Sequence, residues 1–370
     1  MIVGAGPAGL AVGALLRRAG VACLLIEGGE RVGWSWRRHD PWLVLHTTRA
    51  ASGLPLHPFG AGSRYPSRDD VVSYLAAYSE RFALDVRPGT HVHSATREPG
   101  GWLLDTSGGP LRTTCLVLAT GAFRRPRRLQ LEGAERFDGP ILHSSEVQDT
   151  ASFADSVVLI IGAGNTGCDL ALELLRRGAR PVLSVRGPIF ALPREVLGFN
   201  WRTLLGIVPE ATTAVAKRLG GASRRTAHAA AAALWCSVSR RRFAGAQSAG
   251  LPLARPADLI EHWQTGRPPV TSEAALDAVA RGEIGVIAEA SSLAGNRVRL
   301  ADGEEIGADA IVLATGFDAG LEELLPGHRD SVGNAAAGLF LCGYRPELRA
   351  IGREAHDVAR RIVAQRHLLA

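Results

Sequence analysis

A chain of 370 residues that is 46% hydrophobic and 21% charged, with a mean hydropathy of +0.07, has the composition of a globular protein long enough for two domains, and argues against a disordered chain. A formal charge of +6 would suit an anionic partner, but Lys217 is the sole lysine among 42 basic residues, and the arginines are scattered in pairs with no stripe and no aromatic platform, which argues against nucleic acid. Cys23, Cys115, Cys168, Cys236 and Cys342 form no C-x-x-C, and the longest apolar run, Ala229 to Cys236, falls far short of the about 20 residues a bilayer needs; zinc, disulfides and a transmembrane segment are therefore not expected, and a cytoplasmic setting is.

The chain opens Met1-Ile-Val-Gly4-Ala-Gly6-Pro7-Ala8-Gly9 with no signal-like stretch, and continues as a helix to about Arg18 and a strand, Ala22 to Ile26, that ends in Glu27. This is a glycine-rich phosphate loop between strand and helix. An acidic side chain 18 residues past Gly9 accepts hydrogen bonds from ribose hydroxyls and repels a 2′-phosphate, so FAD or NAD is expected there. His91 and His93 share one side of a strand, but no third ligand accompanies them and no metal is expected. A hairpin pattern with a Gly-Gly turn, Trp102 to Leu111, leads into the strand Cys115 to Leu118 and then Ala119-Thr120-Gly121.

The spaced run Phe137-x-Gly139-x-x-x-His143 occupies what reads as an interdomain connection, where His143 serves better as a hydrogen-bonding anchor than as a base and Phe137 as a packing anchor. A second strand, Val157 to Ile161, enters Gly162-Ala-Gly164-Asn165-Thr166-Gly167 and a helix. The next strand, Arg180 to Val185, carries Ser184 and ends in Arg186. That arginine lies 24 residues past Gly162, where the first half places Glu27 23 past Gly4. A guanidinium there pairs a 2′-phosphate, the alternative being a solvated surface arginine. A second hairpin, Arg297 to Ile306, again precedes a strand closing on Ala314-Thr315-Gly316, so the chain holds two similar nucleotide-binding units. Gly338 to Gly343 reads as a last strand and Ala350 to Leu369 as a closing helix.

Together, the two glycine loops, Gly33 with Trp36, Phe137-x-Gly139-x-x-x-His143 and Ala314-Thr-Gly-Phe317 resemble the flavin-containing monooxygenases, a branch of the class B flavoprotein monooxygenases. The plant indole-3-pyruvate monooxygenases look closest. The resemblance implies an α/β fold of two Rossmann-like domains in a glutathione-reductase-like arrangement. The FAD domain would span 1–145 and 310–370, and the NADPH domain 152–309 with an insertion at about 190–270 that contains Trp201. It implies FAD contacts at Gly4, Gly6, Pro7, Ala8, Gly9, Glu27, Gly33, Trp34, Trp36, His46, Val92, Thr120 and Gly121, and NADP contacts at Gly162, Gly164, Asn165, Thr166, Gly167, Ser184 and Arg186. The tryptophans either wall the flavin or fill the core, and His46 either faces the flavin or is a satisfied buried histidine.

The implied chemistry is oxygenation of a small molecule by O₂ through a C4a-peroxyflavin, with no side-chain acid and base identified. An NADPH oxidase that releases H₂O₂, and a flavin-binding sensor without turnover, remain alternatives, and a homodimer is left open. Three positions depart from the family pattern. Val147 stands where an aromatic usually ends the spaced motif, Trp34 replaces a glycine, and Leu45-His46-Thr47 lacks the asparagine of many members.

Overall fold

The computed structural model describes residues 1–196, 198–200, 222–259, 268–327, 338–345 and 348–365. Its chain divides into two compact units, Met1–Pro126 with Phe317–Ala370, and Arg127–Gly316. Trp201, Lys217 and much of the expected insertion lie outside the described residues.

In the first unit, β1 (Ile2–Val3) feeds α1 (Pro7–Arg18), where Pro7 at the first helical position sacrifices no hydrogen bond because that N–H has no partner in the helix. β2 (Leu24–Ile26), β3 (Asp85–Arg87), β7 (Leu116–Leu118) and β20 (Leu339–Leu341) complete a parallel sheet in the order β20-β7-β1-β2-β3. β4 (Val92–Glu98), β5 (Gly101–Thr106) and β6 (Leu111–Thr113) form the antiparallel hairpin layer. Leu10, Leu25, Tyr78 and Phe340 are fully enclosed, and the closing helix α9 (Leu348–Ala364) packs Ile351 and Ala355 into the same core.

Between β2 and β3 the chain forms the short α2 (Trp34–Arg37) and then α3 (Arg68–Arg81). Ser67 caps α3 reciprocally: its hydroxyl accepts from the Asp70 N–H at 3.1 Å, and the Asp70 carboxylate accepts from the Ser67 N–H at 2.9 Å. Two turns of α3 then hold the preceding loop. Tyr74 donates to the His57 carbonyl at 2.7 Å and accepts from the Leu54 N–H, while Tyr78 donates to the Pro55 carbonyl at 2.6 Å. β8 (Arg125–Pro126) pairs with β19 (Phe317–Asp318), and α8 (Leu321–Leu324) follows.

In the second unit, β9 (Ile141–His143), β10 (Val157–Ile161), β11 (Arg180–Ser184), β14 (Gly285–Ile287) and β18 (Ala310–Leu313) form a parallel sheet in the order β14-β11-β10-β18-β9, with α4 (Asn165–Arg176) after β10. The small pair β12 (Glu195–Val196) and β13 (Phe199–Asn200), the helices α5 (Ala222–Arg242), α6 (Ala244–Ser248) and α7 (Glu273–Ala280), and the antiparallel β15 (Ala290–Ala294), β16 (Arg297–Leu300) and β17 (Glu305–Gly307) fill out this unit.

The expected boundaries at 145 and 310 move. β18 pairs with β10, and β9 pairs with β18 in the register Leu142↔Val312, so Phe137 to His143 and residues 310–316 are integral to the second sheet. Phe137 to His143 is thus not a connection. Gly139 is required there because a Cβ would stand 2.0 Å from the Asp309 carbonyl oxygen. No helix among the described residues is long and apolar enough to cross a membrane.

The cap of α3 gives a direct check on this packing. Ser67→Ala should cost about 1 kcal/mol and lower the thermal midpoint by about 2–4 °C in a calorimetric scan, without altering either glycine loop.

Candidate functional site

Each sheet ends on a glycine loop with the same internal contacts. In the first, Gly4 sits at φ +104° with the Ala119 carbonyl so close that a Cβ would stand 2.6 Å from its oxygen, and a Cβ on Gly9 would stand 1.9 Å from the Gly4 oxygen. In the second, Gly162 has φ +113°, the Ala314 carbonyl oxygen lies 2.7 Å from its would-be Cβ, and that of Gly167 falls 2.0 Å from the Gly162 oxygen. The outer glycines are therefore obligatory for backbone packing. The middle ones, Gly6 and Gly164, are different, since a Cβ on either meets nothing within 4 Å.

Gly6 and Gly164 are also the N-caps of α1 and α4, and neither helix has a side-chain cap. Space is thus open beside both helix N-termini, with the positive end of the helix dipole behind it. Pro7, Ala8 and Gly9 begin α1; Asn165, Thr166 and Gly167 begin α4. A pyrophosphate fits each position, and both loops lie at the carboxyl end of a central strand with neighbours on either side, where open α/β sheets bind nucleotides.

The flanking side chains set the two loops apart. The half-buried Glu27 carboxylate accepts from the Ala5 N–H at 2.8 Å and from the Gly29 N–H at 2.9 Å, one bond per oxygen. This fixes its orientation and leaves lone pairs for ribose hydroxyls. At the matching place in the second unit, Arg186 is exposed, and its guanidinium makes no ion pair or hydrogen bond among the described residues. Ser184, expected beside it as a nucleotide contact, turns inward: its hydroxyl donates to the Ala288 carbonyl at 3.0 Å and accepts from the Ala290 N–H at 3.0 Å. Asn165 holds the loop after the insertion, donating to the Pro269 carbonyl at 2.9 Å and accepting from the Thr271 N–H at 2.8 Å. Thr166 is exposed beside it.

Around the first loop, Gly33 has φ +67° and donates its N–H to the Ala5 carbonyl at 3.0 Å, which brings α2 against the loop. Trp34 occupies space that Gly29 leaves, since a Cβ on Gly29 would stand 1.9 Å from its Cγ. Trp36 packs partly into the core and against the His39 ring, 5.2 Å away. Trp42 and His46 are half-buried. Val92 is buried with Val3, Ile26 and Leu118, so its side chain belongs to the core. His91 and His93 stand edge to face at 5.0 Å, and no third metal-ligating side chain converges on them among the described residues.

Three residues that the motifs did not signal join this site. Tyr344 hydrogen-bonds through its hydroxyl to the Thr120 hydroxyl at 2.8 Å, and burial pushes its phenol up to about 12, so it stays protonated. Gly343, at φ +87°, packs so near α1 that a Cβ would come within 2.5 Å of the Ala8 Cβ, and Glu354 accepts its N–H at 2.9 Å. The signal available was the parallel sheet itself, because β20 lies beside β7 and its carboxyl end must reach Thr120 and Gly121.

His143 is fully buried in the second unit. Its Nδ1 accepts from the Ser145 N–H at 3.2 Å, which leaves Nε2–H to donate to the Gly316 carbonyl at 3.1 Å. That carbonyl also accepts from the Arg127 N–H at 2.9 Å, while Glu146, paired with Arg128, accepts from the His143 N–H at 2.8 Å. Burial, chiefly, holds the imidazole below the ordinary histidine range. Val147, buried at 5% exposure, continues this packed stretch.

With this geometry in hand, similarity to known proteins is informative. Residues 1–193 match the family model of the pyridine nucleotide-disulphide oxidoreductases. The indole-3-pyruvate monooxygenase YUCCA1 of Oryza sativa subsp. japonica is 33% identical over 322 residues, covering 86% of this chain and 76% of the relative. Among solved structures, the flavin-containing monooxygenase of Stenotrophomonas maltophilia superposes with a TM-score of 0.71 at 21% identity over 98% of this chain and 97% of its own. The NADP⁺-bound cyclohexanone monooxygenase of Rhodococcus sp. Phi1 gives 0.71 at 16% identity over 99% and 84%. These last two likenesses are of fold.

Two outcomes follow from the geometry. Gly6→Val adds atoms only to open space, so the variant should keep the thermal midpoint of the flavin-free wild type within about 1 °C, as surface changes do, yet fail to take up flavin; normal flavin content would refute the loop's assignment. His143, neutral when folded, contributes stability that is complete above about pH 6.5 and declines as pH falls from there toward its lowered folded value. His143→Gln should flatten that part of the stability profile, measured by urea unfolding at stepped pH.

Proposed function

The chain belongs to the class B flavin monooxygenases and is an NADPH-dependent flavoprotein monooxygenase with FAD as its second cofactor; on that footing we propose that FAD occupies the Gly4–Gly9 loop and NADPH the Gly162–Gly167 loop, and that the substrate is a 2-oxo acid. The observation that carries the cofactor assignment is the contrast between Glu27 and Arg186 behind two loops of matching geometry. The carboxylate suits an unmodified ribose and the free guanidinium a 2′-phosphate. This pairing of an FAD unit with an NADPH unit is the glutathione-reductase-like organisation.

The substrate class rests on the relatives named for indole-3-pyruvate, at 27–33% identity over most of this chain. Flavin held at the Gly4–Gly9 loop would supply the redox chemistry that links NADPH to O₂. For a 2-oxo acid the balance is substrate, O₂, NADPH and one proton to the shortened carboxylic acid, CO₂, water and NADP⁺.

The protein's own residues position and exclude. The N–H groups opening α1 and α4 hold pyrophosphates, with Gly6 and Gly164 permitting the approach. Glu27, braced by two backbone N–H groups, orients a ribose. The Thr120–Tyr344 hydroxyl pair and Gly343 wall the first loop, and α2 with Trp34 and Trp36 closes over it through Gly33. His143 holds the Gly316 carbonyl and transfers no proton, because both its ring nitrogens are engaged.

Arg186→Ala should raise the KM for NADPH by at least about tenfold, the loss of one charge-assisted pair, and leave the KM for NADH nearly unchanged. Equal effects on both would remove Arg186 from the 2′-phosphate. For the substrate, indole-3-pyruvate should release one CO₂ per NADPH consumed; NADPH consumption without CO₂ would reject the 2-oxo acid.

A further inference from the structure

Helix α5 ends in three consecutive arginines with different fates. Arg242 is fully paired: it meets both Asp277 oxygens at 2.8 and 3.0 Å and Glu273 at 3.2 Å. Arg240 and Arg241 are exposed, and their guanidinium groups form no hydrogen bond or ion pair among the described residues. Asp258, whose charge reaches Arg240, is held instead by Arg255 at 3.2 Å. The carbonyl end of a helix favours cations in its last turn, but that preference does not explain why two unpaired arginines line the same cleft.

Both arginines line one cleft. A cleft of about 460 Å³ is lined by Arg240, Arg241, Ser237, Cys236, Ala233 and Pro256, with Ala244 beside them. The cleft is open to solvent over much of its rim, and its volume lies in the range of small-molecule sites. Ser237 stands one helical turn before the two arginines, at the spacing that puts side chains on one face. No carboxylate is among the described residues that line the cleft. Its floor is apolar or neutral: Cys236 is 1% exposed, and burial pushes its thiol up, which makes it a wall and not a nucleophile.

We propose that this cleft is a binding site for a small organic anion, whose carboxylate or phosphate group is held by Arg240 and Arg241 with the Ser237 hydroxyl as a third donor, and whose body rests on Ala233, Cys236 and Pro256. Two planar guanidiniums suit either anion. The site is separate from the two glycine loops and independent of the cofactor assignments made for them.

Calorimetric titration of the flavin-loaded protein at low salt, with inorganic phosphate in one arm and benzoate in the other, tests this. At least one probe should bind saturably at one per chain. The double variant Arg240→Gln/Arg241→Gln should weaken it at least about tenfold, Ser237→Ala about threefold, and Arg240→Lys/Arg241→Lys should restore part of the loss. Flavin content and the KM for NADPH should not change in any of them. Saturation by phosphate alone assigns a phosphate ligand, and by benzoate alone a carboxylate. Binding of neither probe, undiminished binding in the Gln double variant, or displacement of the probe by NADP⁺ would overturn the proposal.

Discussion

In both units an alanine carbonyl at the end of a strand presses against the first glycine of a phosphate loop, Ala119 on Gly4 and Ala314 on Gly162. The contact leaves no room for a side chain and sets that glycine at positive φ, a conformation L-residues adopt only at a cost. The third glycine then lies over the carbonyl of the first, so strand, turn and helix form one tight unit. Only the middle glycine is left open. What borders that opening is an uncapped helix N-terminus, the setting in which helices favour anions.

The repeats diverge in their side chains. Behind the first loop is a carboxylate braced by Ala5 and Gly29, and behind the second an exposed arginine. The threonines of the two Ala-Thr-Gly segments also part ways, Thr120 bonding to Tyr344 and Thr315 to the Arg127 carbonyl. His143 adds a third tie to the second segment through Gly316. The backbone contacts are thus common to both halves, and the side chains confer the difference.

The loops, their flanking strands and helices, both hairpins and the Glu27–Arg186 contrast were legible in the sequence, because each is a local pattern with a local cause. What escaped it is non-local. Phe137 to His143 read as a connection, yet β9 is only three residues long and becomes a strand solely by pairing with β18, some 170 positions on. The resemblance implies a nucleotide contact at Ser184; its inward turn depends on Ala288 and Ala290, which no local pattern connects to it. Tyr344 and Glu354 reach the first loop only through the order β20-β7-β1. On helix α5, Arg242 finds its partner Asp277 35 positions on, which no local pattern connects to it.

The central claim is that reducing equivalents from NADPH are spent on inserting oxygen from O₂ into an organic substrate at the flavin. Turnover under ¹⁸O₂ with indole-3-pyruvate, followed by mass analysis of the acid product, tests it most directly. The account predicts one labelled oxygen in the product and little peroxide. An unlabelled product, or peroxide formed in step with NADPH oxidation whatever the substrate, would contradict it.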